Sequence, residues 1–463
     1  MELHQKQFVV SAQKHHLNSK WRSISVGNGL HISYCSKLPV KTLNDCKGNI
    51  YYLLGWPVLL ENNFKNEYAG IQEIESDSHK WAGRWCLIGK DQIFSDASNL
   101  ICLVYDKSCS YLASSPVLLN SLLNKKSPDY DLQGKYYHNW FIVPGTAYSN
   151  IFKMFPGEKA IRLKNSWGIR YRQLELNYRF DSYEDLYNDL SESFLNEVSY
   201  LVLKLKLKPL VALSGGYDSR LILAIASTVK KDVRSYTHVF PSMKISDYKI
   251  PKAISSENLF IKPSVFKKNL QTLFDQHSGI HARDADRFFF SHQQWQSFNE
   301  NQVCLRGGIL ELAGESSAHL YERLPDLKFQ NEEDTRIFNY ALSDFRNFQI
   351  QATKKYATYC SNHPLRTHFH KKYYLDQRIG GWLSYIEQSL TLAKPLSHNL
   401  GNSIYQINLM KSIPSNMMSV KGFHLDFIRR NAPSLLNFPF NSSSKVDKIK
   451  ALLNSKINSF LLK

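Results

Sequence analysis

The run Pro209-Leu210-Val211-Ala212-Leu213-Ser214-Gly215-Gly216-Tyr217-Asp218-Ser219-Arg220 constrains this chain more than any other stretch. Residues 209–213 form an apolar run long enough for one buried strand, and two glycines then force a sharp turn. From Asp218 to Val229 the sequence continues as an apolar helix. Upstream, Asp181-Ser182 can cap a helix that carries Leu186, Leu190, Phe194, Val198 and Leu201 at helical spacing. Downstream, Ser235 to Phe240 and Leu259 to Ile261 predict strands, while Asp247 to Ser256 and Phe266 to Gln276 predict helices. Strand and helix alternating at this pitch predict a parallel sheet covered on both faces.

Residues 1–180 read differently. Phe8-Val9-Val10, Ile50 to Leu54, Trp85 to Ile88, Leu100 to Tyr105 and Lys159 to Leu163 are short β-prone runs separated by turns. The expected organisation is therefore an α/β chain in two domains: a β-rich one over 1–180, and a parallel-sheet one over 181–463 with a helical C-terminal part. Beyond about residue 330 helices dominate, with Leu425 to Arg430 and Lys445 to Leu462 as candidates.

Composition narrows the class. No segment approaches the roughly 20 apolar residues of a membrane helix, and the N-terminus lacks a secretory pattern, so a cytoplasmic protein is expected. The seven cysteines (35, 46, 86, 102, 109, 304 and 360) contain no CxxC pair, which predicts reduced and mostly buried thiols. The net charge of +18 is spread along the chain. Residues 1–180 hold 22 Lys and Arg against 14 Asp and Glu, and the remainder 36 against 26. A diffuse positive field attracts nucleotides, phosphorylated substrates and RNA alike, and it marks no nucleic-acid module.

The turn after the strand carries the chemistry. Gly215 and Gly216 let backbone amides approach an anion, and the following helix aims its positive end at the same place. Ser214 and Ser219 add hydroxyl donors, and Asp218 offers a carboxylate suited to Mg²⁺ on phosphates. With no Gly-Lys-Ser/Thr ending this is not a Walker A loop, nor is it GxGxxG.

The Ser-Gly-Gly-Tyr-Asp-Ser loop resembles the pyrophosphatase loop (PP-loop) of adenylating enzymes, and its setting resembles the asparagine synthetase-like family. Leu305-Arg306-Gly307-Gly308-Ile309-Leu310-Glu311 is similar to that family's second nucleotide segment. Tyr236 to Phe240, followed by Ser246-Asp247, is similar to the strand bordering adenine. Gly83 to Ile88 and Met154 to Ala160 resemble the glutaminase half, which implies a glutaminase-like, Ntn-type N-terminal domain ahead of the PP-loop domain. The resemblance implies ATP and Mg²⁺ as cofactors, with ATP bound through Leu213, Ser214, Gly215, Gly216, Asp218, Ser219, Val239 and Gly307. It implies metal coordination by Asp218 and Glu311. Catalytic roles are implied for Glu387, in Ile386 to Leu390, and for a late lysine, Lys445, with Lys421 behind it. Arg220 is expected either to contact phosphate or to face solvent.

An active glutaminase of this kind exposes an N-terminal cysteine, whereas this chain begins Met1-Glu2 and its first cysteine is Cys35. The expectation is an amide ligase that adenylates a small-molecule or peptide carboxylate, releases pyrophosphate and joins ammonia or an amine without hydrolysing glutamine. Cysteine-less relatives such as β-lactam synthetases and lasso-peptide cyclases work this way. Two other readings of the loop remain open: an RNA-modifying adenylase, and a degenerate scaffold that binds nucleotide without turnover.

Overall fold

A computed structural model of the protein describes residues 3–60, 73–123, 126–129, 140–164, 166–172, 176, 178–239, 243, 245–261, 268–279, 298–314, 350–362 and 369–440. Its strands before residue 172 build two six-stranded antiparallel sheets. Phe8, Val10 and Ile32 from one sheet meet Leu54, Cys86, Ile88 and Ile93 from the other, so the two apolar faces pack together. The strand Trp81–Gly89 is buried along its whole length because its second face is covered as well, by residues around Trp81, Trp85 and Leu87.

One predicted strand is corrected. The apolar run 100–105 enters a strand only at Val104–Asp106. Residues 100–103 are instead wound into a turn: the Asp96 carboxylate accepts from the amides of Leu100 (2.8 Å) and Ile101 (3.1 Å), and Asn99 Oδ1 accepts from Leu103 (2.8 Å). The run is apolar because it is buried, not because it is extended.

The described strands after residue 208 form one parallel sheet. They are β1 (Lys208–Ala212), β2 (Arg234–His238), β3 (Leu259–Ile261), β4 (Gln302–Arg306) and β5 (Leu396–Asn399), in the order β3-β2-β1-β4-β5. Leu210 pairs with Arg234 on one side and Cys304 on the other, which makes β1 the central strand. Helix α1 (Tyr183–Ser199) starts where the capping pattern predicts, with Ser182 Oγ accepting from the Asp185 amide at 3.2 Å. Helix α2 (Tyr217–Val229) follows the Gly-Gly turn, and α3 (Ile245–Ile254) follows β2. Among the C-terminal helices, α4 (Gly422–Asn431) lies against α2.

One buried cluster draws on both halves of the chain. Val58, Leu60, Ala82, Ala97 and Leu100 belong to the same buried cluster as Leu190, Phe194, Val211 and Ile222. Polar links cross between the halves as well: Asn402 Nδ2 donates to Gly83 O at 2.6 Å, and Gln377 bonds both the amide and the carbonyl of Val143. Five of the seven cysteines are buried, Cys109 is half-buried and Cys46 is exposed. No helix among the described residues is long and apolar enough to cross a membrane.

Candidate functional site

Strand β1 is central and parallel to its neighbours, so its carboxyl end opens into the crevice where such sheets bind ligands. Leu213 extends it by one residue, its amide donating to Tyr236 O at 2.8 Å while Thr237 Oγ1 donates to its carbonyl at 2.8 Å. The chain then turns through Ser214-Gly215-Gly216 into α2. Neither glycine has a positive φ. Their contribution is the missing side chain, which leaves the backbone approachable.

The turn is internally braced. The Ser219 hydroxyl lies 3.1 Å from the Ser214 amide and 3.0 Å from the Ser214 hydroxyl. Gly216 N donates to Ser214 Oγ at 3.1 Å, and Gly215 N donates to the Asp247 carboxylate at 3.1 Å. Asp247 stands in the first turn of α3. The Gly215 amide is thus already engaged by a carboxylate, the kind of partner such a turn holds.

Two distant segments converge on Asp218. A Cβ built on Gly307 would lie 3.1 Å from the Asp218 Cβ, so the segment after β4 closes directly on the loop. Glu311, in the single turn Leu310–Ala313, is near enough for the Asp218 charge to act on it. Lys421, at the start of α4, acts electrostatically on both carboxylates. It holds a left-handed conformation (φ 54°), which begins the helix abruptly beside Gly314. His424, one turn on and completely buried, places Nε2 2.8 Å from Asp218 Oδ1.

The environment drives the two carboxyl groups apart. Burial works against the charged form of Asp218. The hydrogen bond from His424 and the charges of His424 and Lys421 outweigh it and hold the group below the ordinary value. Glu311 moves the other way: burial and the Asp218 charge raise it, opposed by a hydrogen bond from Tyr374 and by Arg378 and Lys421. Two like charges at close range are the chemistry that a cation would relieve. Among the described residues, no group of three or more His, Cys, Asp or Glu side chains is disposed to hold a metal. Two carboxylates therefore fit Mg²⁺ only in its usual manner, shared with phosphate oxygens.

The other candidates fall as follows. Val239 is half-buried at the end of β2, with its amide on Ile261 O at 2.8 Å. Glu387 is 1% exposed, and its carboxylate is taken up by Arg306 at 2.5 Å and Ser397 Oγ at 3.1 Å. Lys445 lies outside the described residues.

Arg220 takes neither of its expected positions, phosphate or solvent. It is fully buried, because its guanidinium donates to the carbonyls of Leu435 (3.2 Å), Phe438 (2.7 Å), Pro439 and Gly215 (3.3 Å). Its carbon Cζ also sits 3.9 Å from the Phe440 ring, which stacks on Tyr217 at 3.9 Å and 3°. Thus Tyr217 and Arg220, one on each side of Asp218-Ser219, both grip residues 435–440.

Sequence reasoning missed His424 and the convergence of Arg378 and Tyr374 on Glu311. A histidine in an amphipathic helix carries no local signal, since its partner lies 206 residues away. No model of a known protein family matches the chain, and no curated protein matches it at a significant level.

Proposed function

We propose that the chain is an ATP-dependent amide ligase of the asparagine synthetase-like kind, with an Ntn-type N-terminal domain and a PP-loop domain. The observation that carries this reading is the meeting of Asp218, Gly307, Glu311 and Lys421 at the carboxyl end of the central parallel strand. Loop amides, an aligned helix end and a lysine supply positive potential, and two carboxylates stand beside it. That set suits a triphosphate whose pyrophosphate must leave.

In the proposed reaction a substrate carboxylate oxygen attacks the α-phosphorus of ATP, and the bond to the β-phosphate oxygen breaks. Ser214, Gly215, Gly216 and Ser219 would hold the departing pyrophosphate, with Lys421 balancing charge on the adenylate. An amine or ammonia then attacks the acyl carbon, the C–O bond breaks, AMP leaves and the amide forms. Asp218 and Glu311 would hold Mg²⁺, which when bound withdraws electron density from the phosphate oxygens. Glu387 neutralises Arg306, which would give it a supporting role for the next residue, Gly307.

Glutamine hydrolysis is not part of the proposal. Burial raises the thiols of Cys86, Cys102, Cys304 and Cys360, which keeps these four from supplying the thiolate that such chemistry needs. Steady ammonia release from glutamine by the pure protein would contradict it.

The test is ATP–pyrophosphate exchange across amino acids, sugar acids and short peptides. One acid should support exchange, and Asp218→Ala should reduce it at least ~100-fold. Full activity in that variant overturns the mechanism. The carboxylate of Asp247 on Gly215 N favours one rival, a nucleotide-binding scaffold without turnover. ATP binding without exchange for any acid would select it.

A further inference from the structure

His424 is an unusual residue to find in its place. It is 0% exposed, next to Phe423, whose ring packs against Tyr187 and Phe194 in the main core. Burying an imidazole there is costly unless its polar atoms are matched. One is: Nε2 lies 2.8 Å from Asp218 Oδ1. The other, Nδ1, is buried with no hydrogen-bond partner among the described residues. A phenylalanine would fill the same volume without that cost, so among the described residues the interaction that accounts for the imidazole is the one with Asp218.

The geometry around it reinforces this. Lys421, the left-handed residue that precedes α4, and His424, in its first turn, come from the same short stretch of chain. Both act on Asp218. The Asp218 side chain nevertheless keeps 29% exposure. Oδ1 is thus pinned by a buried donor while the side chain as a whole is not sealed off. Since a carboxylate only accepts, the contact assigns the proton to Nε2.

We propose that His424 is a positioning residue for Asp218: its Nε2–H fixes the carboxylate that takes the divalent cation carried by the nucleotide. The inference rests on the ligase reading of the loop and adds the group that orients its metal ligand. Hydrogen-bonded second partners of this kind raise metal affinity by holding the ligand in one orientation.

The experiment uses the full chain with Mn²⁺ and the non-hydrolysable analogue α,β-methylene-ATP, read by calorimetry and by Mn²⁺ paramagnetic resonance. His424→Phe keeps the ring and removes the donor. It should weaken Mn²⁺-dependent nucleotide binding about 10–100-fold while binding of the metal-free analogue stays the same. His424→Gln can place an amide N–H near the position of Nε2 and should recover most of the loss. His424→Asn is too short and should not, a comparison that serves even where the Phe variant does not fold. Wild-type Mn²⁺ affinity in His424→Phe, equal loss in the Gln and Asn variants, or equal loss of metal-free binding would each overturn the proposal while leaving the ligase reading intact. A wild-type chain that binds no nucleotide at all would overturn both.

Discussion

Asp247 Oδ1 rests 3.1 Å from the amide nitrogen of Gly215, so an acidic side chain already sits on the turn proposed to receive pyrophosphate. A phosphate oxygen reaching that amide must move the carboxylate aside or share the donor with it. Asp247→Asn keeps an acceptor and removes the charge. Pyrophosphate binding should tighten by on the order of 1 kcal/mol, roughly fivefold, as measured by calorimetry. Weaker binding would mean that Asp247 shapes the turn instead of competing for it.

Glu387 is buried against Arg306, and removing one partner of such a pair leaves an uncompensated charge. Glu387→Ala should therefore cost about 3–5 kcal/mol of folding stability in urea titrations. A fully stable variant that has lost pyrophosphate exchange would instead place Glu387 in the chemistry.

Lys421 and Lys445 are the two candidates for the phosphate clamp of the proposed reaction. Lys421 acts on both Asp218 and Glu311, so Lys421→Met should lower the exchange rate about 100-fold with the fold unchanged. Lys445→Met, made in parallel, decides between them: if its loss is the larger, the clamp is Lys445.

Glu158 gives a pH dependence with a definite sign. Burial pushes its carboxyl up to about 8, against the hydrogen bond from the Phe155 amide and with help from Asp376. Below the ordinary value of 4.5 folded and unfolded chains both hold the proton. Between there and about 8 the unfolded chain releases it while the folded chain keeps it, so stability falls as pH rises through this window. Glu158→Gln removes the titration. The wild type should lose stability relative to that variant between about pH 5 and about pH 8 in paired denaturant titrations. Parallel curves would show that Glu158 does not titrate in this range.

Much of this architecture is legible in the sequence wherever the cause is local. The Ser182 cap, the strand at 208–212 and the helix after the glycines each follow from residues within a few positions of one another. The failures share a different cause. Leu100 to Leu103 are apolar like a strand, yet side-chain oxygens of Asp96 and Asn99 capture their amides and wind them into a turn. Arg220 looks like a surface or phosphate residue until the carbonyls of Leu435, Phe438 and Pro439 arrive from more than two hundred residues away. His424 takes its meaning from Asp218, a partner that no local pattern announces.

The grip of Arg220 on residues 435–439 can be tested directly. Arg220→Met removes the donors from four buried or half-buried carbonyls, at about 1–3 kcal/mol for each acceptor left unsatisfied. Limited proteolysis should then cut near Leu435 to Phe440 at protease levels that leave the wild type whole. Equal resistance would show that the segment is held by other contacts.

That grip also sets an order of events during synthesis. Gly215 leaves the ribosome long before Pro439, yet one guanidinium must reach both carbonyls. A nascent chain can therefore complete the strand and the glycine turn while Arg220 is still without most of its acceptors. The proposed nucleotide site is finished only when the 435–440 segment folds back onto it, so partly made chains should display the fold's centre without its affinity.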